Sequence, residues 1–171
     1  MMDFFFRLSM APGVIIHELS HALFCIFGGI KIHKIKLYSF NPKSKIAGFV
    51  THDEPESFFQ NFLISFGPFF INSLTTLILF SLIKSPWLVW QNTLYLWLGL
   101  TIGLQAIPST GDAQSLLQSA NRKVFKNPFI VLAYPFVFLI FLLNWLKRIH
   151  FDLLYVLTLF WLGNIFLKNG L

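Results

Sequence analysis

Residues 58–83 carry not one charged side chain. About 20 mostly apolar residues suffice for a helix to cross a bilayer, and a run of this length and purity confines the chain to a small set of membrane folds. The rest of the sequence points the same way. Of 171 residues, 56% are hydrophobic and only 12% charged, against about 45–50% and about 25% in soluble domains. A compact soluble fold of this size could not hide so much apolar surface. These features predict an all-α, multi-pass integral membrane protein folded as a single domain over 1–171. Five stretches qualify as transmembrane helices, at about 8–30, 58–83, 86–107 with a broken continuation to 121, 127–146 and 151–167. The third run is too long for one span, and Pro108 is expected to break it. Asp3 in the leader, Glu18 inside the apolar run and the lack of a small-residue cleavage site mark the first stretch as a retained span. Disorder and a coiled coil are excluded by the same composition, and a disulfide scaffold by the lone Cys25.

The net charge of +6 reads as topology. The basic residues fall between apolar runs and form no stripe with interleaved aromatics, which argues against nucleic acid. With five spans, one side receives Arg7, Lys84, Lys147 and Arg148. The other receives Lys31, Lys34, Lys36, Lys43, Lys45, Arg122, Lys123, Lys126 and Lys168, and is expected to be cytoplasmic with the N-terminus outside. Between the first two spans, residues 30–40 alternate Ile and Leu with Lys, with a phase slip at His33-Lys34. Asn41-Pro42-Lys43-Ser44 reads as a turn and 46–50 as a return strand. A cytoplasmic-side β-hairpin is expected here, the slip being a bulge; a basic loop on anionic headgroups is the alternative.

Inside the first span stands His17-Glu18-Leu19-Ser20-His21. Two His four residues apart share a helical face and can ligate one Zn²⁺, while the Glu between them can accept a proton from water at the metal. Ionisable groups in a span are costly and usually functional. A catalytic zinc needs a third protein ligand and an open position. Cys25 lies about 12 Å along the helix from His17, too far to join. A His at position 27 would mark another zinc protease class, but Phe27 stands there. Glu54 and Glu56 sit in the hairpin region, and Asp3, His150 and Asp152 fall on the outer side of the expected topology. Asp112 is the leading third ligand. His21 and Asp112 each stand ten residues before the next cytoplasmic charge, Lys31 and Arg122, so they share a depth. His33 and His52 remain weaker candidates, and Asp112 could instead only cap a helix after Pro108.

These residues resemble the site-2 protease family of intramembrane zinc metalloproteases. The likeness covers roughly 8–120 and rests on HELSH at 17–21, the hairpin at about 30–52, Gly67-Pro68 with Asn72, and Gln105-Ala106-Ile107-Pro108-Ser109-Thr110-Gly111-Asp112. Departures from the family pattern are the spacing of Asn72 from Gly67, Gln105 in place of Asn, Asp112 one residue nearer its Pro, and Ala113 in place of Gly. The resemblance implies a zinc endopeptidase that cuts transmembrane segments of membrane-protein substrates within the lipid bilayer. It implies His17, His21 and Asp112 as metal ligands, Glu18 as catalytic base, and Asn72 and Gln105 as substrate-binding positions. The zinc site would lie toward the cytoplasmic side. Two other classes compete: a catalytically silent zinc-binding membrane protein that captures or senses a partner, and a transporter using His17 and Glu18 as a proton relay. The intact Glu18 disfavours the first. The second would be favoured by paired discontinuous spans in two similar halves, and the sequence suggests none.

Overall fold

The computed structural model describes residues 2–41, 44, 47–84, 89–125 and 127–168. Pro42 and Lys43 of the expected turn, Lys45 and Ile46 of the expected return strand, residues 85–88 at the head of the expected third span, and Lys126 lie outside the described residues. The chain is mostly helical, with a two-stranded antiparallel sheet. In order come α1 (Met2–Phe27), β1 (Ile32–Lys36), β2 (Phe49–His52), α2 (Phe58–Ser81), α3 (Trp90–Leu104) and α4 (Thr110–Lys123). A 3₁₀ turn at Pro128–Ala133 leads into α5 (Tyr134–Leu146), and another at Lys147–Ile149 leads into α6 (Phe151–Lys168). Three helices, Arg7–Phe27, Phe58–Ser81 and Pro128–Ile149, are long and apolar enough to cross a membrane. This is the construction of a membrane protein.

α1 and α2 are antiparallel and packed tightly. At Gly67 an added Cβ would stand 2.4 Å from the Phe24 ring, so only hydrogen fits between the helices there. Gly13 gives α3 the same access, since a Cβ would stand 2.0 Å from the Thr101 carbonyl oxygen. Ser57 starts α2 with a reciprocal capping box, its hydroxyl accepting from Gln60 N and the Gln60 side chain accepting from Ser57 N.

Of the remaining helices described, only the Pro128–Ile149 stretch is long and apolar enough to cross by itself. α3 has only 15 residues, about 22 Å of helix against a hydrocarbon core of about 30 Å. Its contacts run down α2 from Asn92 beside Lys84 to Gln105 beside Asn72. α4 carries on in the same direction, Ser115 meeting Asn61 and Lys123 meeting Pro55. α5 then returns along α4, from Tyr134 beside Asn121 to Lys147 beside Ile107. α6 continues upward, Tyr155 bonding Ser73 and Gly163 packing on Phe80. The α3–α4 and α5–α6 segments are thus two interrupted helix pairs whose breaks lie side by side, Lys147 bonding Ile107 and Asn144 bonding Pro108. Each half has its own core: Phe80, Ile83, Val156 and Leu159 in one, Ala113, Leu116, Val137 and Ile140 in the other.

Helices of crossing length match three of the five expected spans, and the described residues do not establish the count of five. The α3–α4 and α5–α6 pairs are each interrupted, at Pro108 and at Lys147–Ile149, and only the first interruption was expected. Lys147 follows α5 beside Ile107 and is half-buried, whereas Arg148 next to it is exposed. The hairpin is real, with Ile32 opposite His52, Lys36 opposite Phe49, and a register shift between Ile32 and Lys34 that leaves His33 as the extra residue. It does not stay at the end where α1 finishes. The chain beyond β1 folds back along α1 until Tyr38 donates to the Arg7 carbonyl, and Arg7 donates to the carbonyls of Asn41 and Ser44. Ser44 therefore belongs to the Arg7 end of the molecule, about 15 Å along α1 from His17.

Candidate metal centre

His17 and His21 project from one face of α1 toward the α3–α4 break, and Asp112 enters from the first turn of α4. Their ligand atoms lie within 4.8 Å of one another. His17 Nε2 is 3.2 Å from His21 Nε2, and Asp112 Oδ1 is 3.3 Å from His21 Nε2. Asp112 Oδ2 is 3.9 Å from His17 Nε2. Ligands about 2.0–2.1 Å from a tetrahedral zinc stand about 3.3–3.4 Å apart, so the two shorter separations match an edge of that polyhedron.

The tautomers decide what the site can hold. His17 Nδ1 lies 2.7 Å from the Gln105 carbonyl oxygen, and His21 Nδ1 lies 2.8 Å from that of Ile64. A carbonyl only accepts, so both Nδ1 atoms carry a proton, and each ring in its neutral form points an Nε2 lone pair into the centre. Two lone pairs facing each other at 3.2 Å, with a carboxylate oxygen alongside, are mutually repulsive. A cation between them turns the repulsion into coordination. The donor set therefore fits a divalent metal, with each imidazole oriented by a backbone carbonyl behind it. Two imidazoles and one carboxylate suit zinc and also iron(II).

The two carbonyls are free for different reasons. Pro68 has no N–H, so the Ile64 carbonyl four residues earlier in α2 has no helical donor and accepts from His21 instead. Gln105 caps the C-terminus of α3 just before Pro108, and its carbonyl accepts from both His17 and Asn72 Nδ2. Asn72 is fully buried, and its amide nitrogen donates to the carbonyls of Ile102 and Gln105. It does not border the cavity: it holds the end of α3 where His17 needs an acceptor. Gln105 does border the cavity.

Asp112 does two things at once. Its Oδ2 accepts from Ser109 N and Ser109 Oγ, both at 2.7 Å, while Ser109 Oγ accepts from Asp112 N, which makes a capping box for α4. That leaves Oδ1 directed at His21. Capping and ligation, set against each other by the sequence, are compatible. His33 is paired with Asp53 at 2.6 Å on the exposed hairpin, and His52 Nδ1 donates to the Asp53 carbonyl at 2.7 Å. Neither belongs to the trio.

Glu18 faces a cavity of about 590 Å³ bordered by His17, His21, Asp112, the strand residues Phe49 and Val50, and Lys147. It makes no hydrogen bond among the described residues. The hairpin presses directly on it: a Cβ on Gly48 would stand 2.7 Å from Glu18 Cγ and 2.8 Å from the Leu37 carbonyl oxygen, so glycine is required there. Lys147 was not foreseen. It is 35 positions from Asp112 in sequence, and only the end of α5 beside Ile107 brings it to the site. The arrangement offers a metal position, an acid–base group beside it and a cavity of about 590 Å³ with a mixed polar and apolar lining. No family model matches the chain, and no curated protein or solved structure is significantly similar to it.

Proposed function

We propose that this protein is an intramembrane zinc endopeptidase that hydrolyses peptide bonds of transmembrane segments. The observation that carries the reading is the pair of Nε2 lone pairs and one carboxylate oxygen converging on one point, with Glu18 on the adjacent turn facing the same cavity. When bound, zinc supplies a Lewis acid and a water whose pKa is lowered toward about 7. His17, His21 and Asp112 hold it. Glu18 takes a proton from the attacking water and passes it to the leaving amine nitrogen. A helical substrate has its carbonyls hydrogen-bonded and must unwind first. The β2 edge at Phe49 and Val50 borders the cavity and can hold the unwound segment by strand addition. The resemblance to the site-2 proteases supports the same assignment, and with it a cytoplasmic Lys31 end and an outer N-terminus.

One observation favours a second reading. The two helix pairs interrupted beside the centre are a construction that transporters use for ion sites. A third, silent metal capture, needs no Glu18. Elemental analysis of the purified protein, with a cleavage assay on reporter transmembrane helices, separates them. The wild type is expected to contain about one zinc per chain and to cleave. Glu18→Gln is expected to keep the zinc and lose cleavage, since only the proton acceptor is removed. Cleavage by that variant at the wild-type rate would falsify the mechanism, and a metal-free, inactive wild type would favour the transporter.

A further inference from the structure

The α5–α6 break delivers a charge to the catalytic cavity. Lys147 is the first residue after α5, and its Nζ donates to the Ile107 carbonyl at 3.2 Å, on the turn between α3 and α4. It is the one lysine or arginine among the residues bordering the cavity that holds His17, Glu18, His21 and Asp112. An ammonium group has three donors. Among the described residues Lys147 makes that single hydrogen bond and no ion pair, so two N–H groups remain for whatever enters. Two acids lie near it, Asp152 in the first turn of α6 and Asp112, which is turned toward Ser109 and the histidines; neither forms an ion pair with Lys147.

A structural role does not account for the charge. Asn144, one turn earlier on the same face of α5, donates to the Pro108 carbonyl at 2.8 Å. An uncharged amide is thus enough to satisfy a free carbonyl of this turn, whereas partly burying a cation costs more than burying an amide. The cavity has two acids, Glu18 and Asp112, and Lys147 is its positive pole.

We propose that Lys147 is a further catalytic residue, donating a hydrogen bond to the substrate oxygen that becomes negative as water adds to the peptide carbonyl. The inference rests on the peptidase reading. In the addition step the water oxygen bonds to the carbonyl carbon, the C=O π pair moves onto oxygen, and the water proton goes to Glu18. Lys147 keeps its proton and compensates the new charge. In the collapse step C=O re-forms, the C–N bond breaks, and the amine nitrogen takes the proton from Glu18. A preorganised donor at that oxygen typically contributes on the order of a hundredfold or more in turnover.

The test uses the full-length zinc-loaded protein with Lys147→Gln, which keeps an N–H donor for Ile107 and loses the charge, and Lys147→Arg, which keeps the charge. Zinc content, kcat, KM and the affinity for a phosphinic peptide, whose tetrahedral anionic centre mimics the intermediate, are measured for each. For Lys147→Gln we expect unchanged zinc and KM, with kcat and phosphinic-peptide affinity each lowered on the order of a hundredfold. Lys147→Arg should recover most of both. Unchanged kcat, a rise in KM alone, or loss of zinc would each overturn the proposal, the last by making Lys147 a positioning residue. Should Lys147→Gln not accumulate, Lys147→Met removes the charge together with the Ile107 hydrogen bond, and Lys147→Arg, which keeps both, is its control. Cleavage by Glu18→Gln would bring down the peptidase reading itself, whereas an active wild type matched by Lys147→Gln would bring down only this inference.

Discussion

The α1–α2 pair and the four shorter helices behind it solve the same problem in opposite ways. α1 and α2 run unbroken through the depth of the centre, and each contributes groups by helical periodicity: His17 and His21 from α1, the Ile64 carbonyl from α2. α3–α4 and α5–α6 break beside the centre, and contribute what only a break can offer. These are the free Gln105 carbonyl, a carboxylate in the first turn of α4, and a lysine at the end of α5. Continuous helices set the distance between ligands, while interrupted ones carry charge and unpaired backbone groups into a region where both are otherwise expensive. Even α2 borrows the second strategy once, through Pro68.

The largest effect is expected where the broken side meets the metal. Asp112→Ala removes a ligand and half of a capping box. It should abolish cleavage and lower the zinc-to-protein ratio well below one, with an additional stability loss of about 1 kcal/mol from the cap. Asp112→Asn can still accept from Ser109 and should keep the cap while losing most of the metal. Zinc content and thermal melting of the two variants separate the roles. Full occupancy in Asp112→Ala would show that the continuous pair alone makes the site.

How much of this was legible follows from the same contrast. Periodicity and charge-free length announce α1 and α2, and the His pair on one face follows from spacing alone. Alternation with a slip at His33 gives the hairpin and its bulge, because a strand pattern is a local property. The depth match of His21 and Asp112 is legible because both segments lead by helical paths to a basic anchor. The halt of α5 is not, since residues 127–146 look like a complete span and Lys147-Arg148 like its surface anchor. Nothing local says that the chain will continue in the same direction as α6. The course of the hairpin depends on Tyr38 and Arg7, two residues 31 apart that read separately as ordinary surface groups. Asn72 carries a family-like position, but only the packing of α2 on α3 shows that both its donations go to α3 carbonyls. The role of Pro68 could have been read from the sequence, since a proline in an apolar helix frees the carbonyl four residues earlier, and Ile64 lies on the turn that faces His21.

That proline gives the next effect in size. Pro68→Ala restores an N–H donor for Ile64, in competition with His21, and relieves a proline in a helix interior that costs about 3 kcal/mol. The protein should become more thermostable without metal, while its zinc affinity falls about 10–100-fold, the usual effect of losing an imidazole's supporting acceptor. Opposite signs are the signature. They are measured by melting of the apo-protein and by zinc competition with a chelating dye. If stability and affinity fall together, Pro68 shapes the α1–α2 packing and does not serve His21, and the contrast between continuous and broken helices becomes sharper than drawn.

The smallest effect should come from Asn144, which supports the α3–α4 break without touching the centre. Its amide bridges the carbonyls of Pro108 and Ile140 at 2.8 and 2.9 Å. Asn144→Ala leaves the Pro108 carbonyl without its donor, a loss of about 1–2 kcal/mol in a partly buried setting. Ser109 still caps α4 through Asp112, and Lys147 still bonds Ile107, so the turn should keep its course. Melting should register the loss, while zinc affinity and kcat change by less than about threefold, because the ligand geometry is fixed by the α4 capping box and the α1 helix. If this substitution instead reduces zinc affinity as much as Pro68→Ala, the break is not a rigid turn resting on its own cap. The α5 helix would then be a working part of the metal site, and the broken half of the molecule would have to be treated as one unit with it.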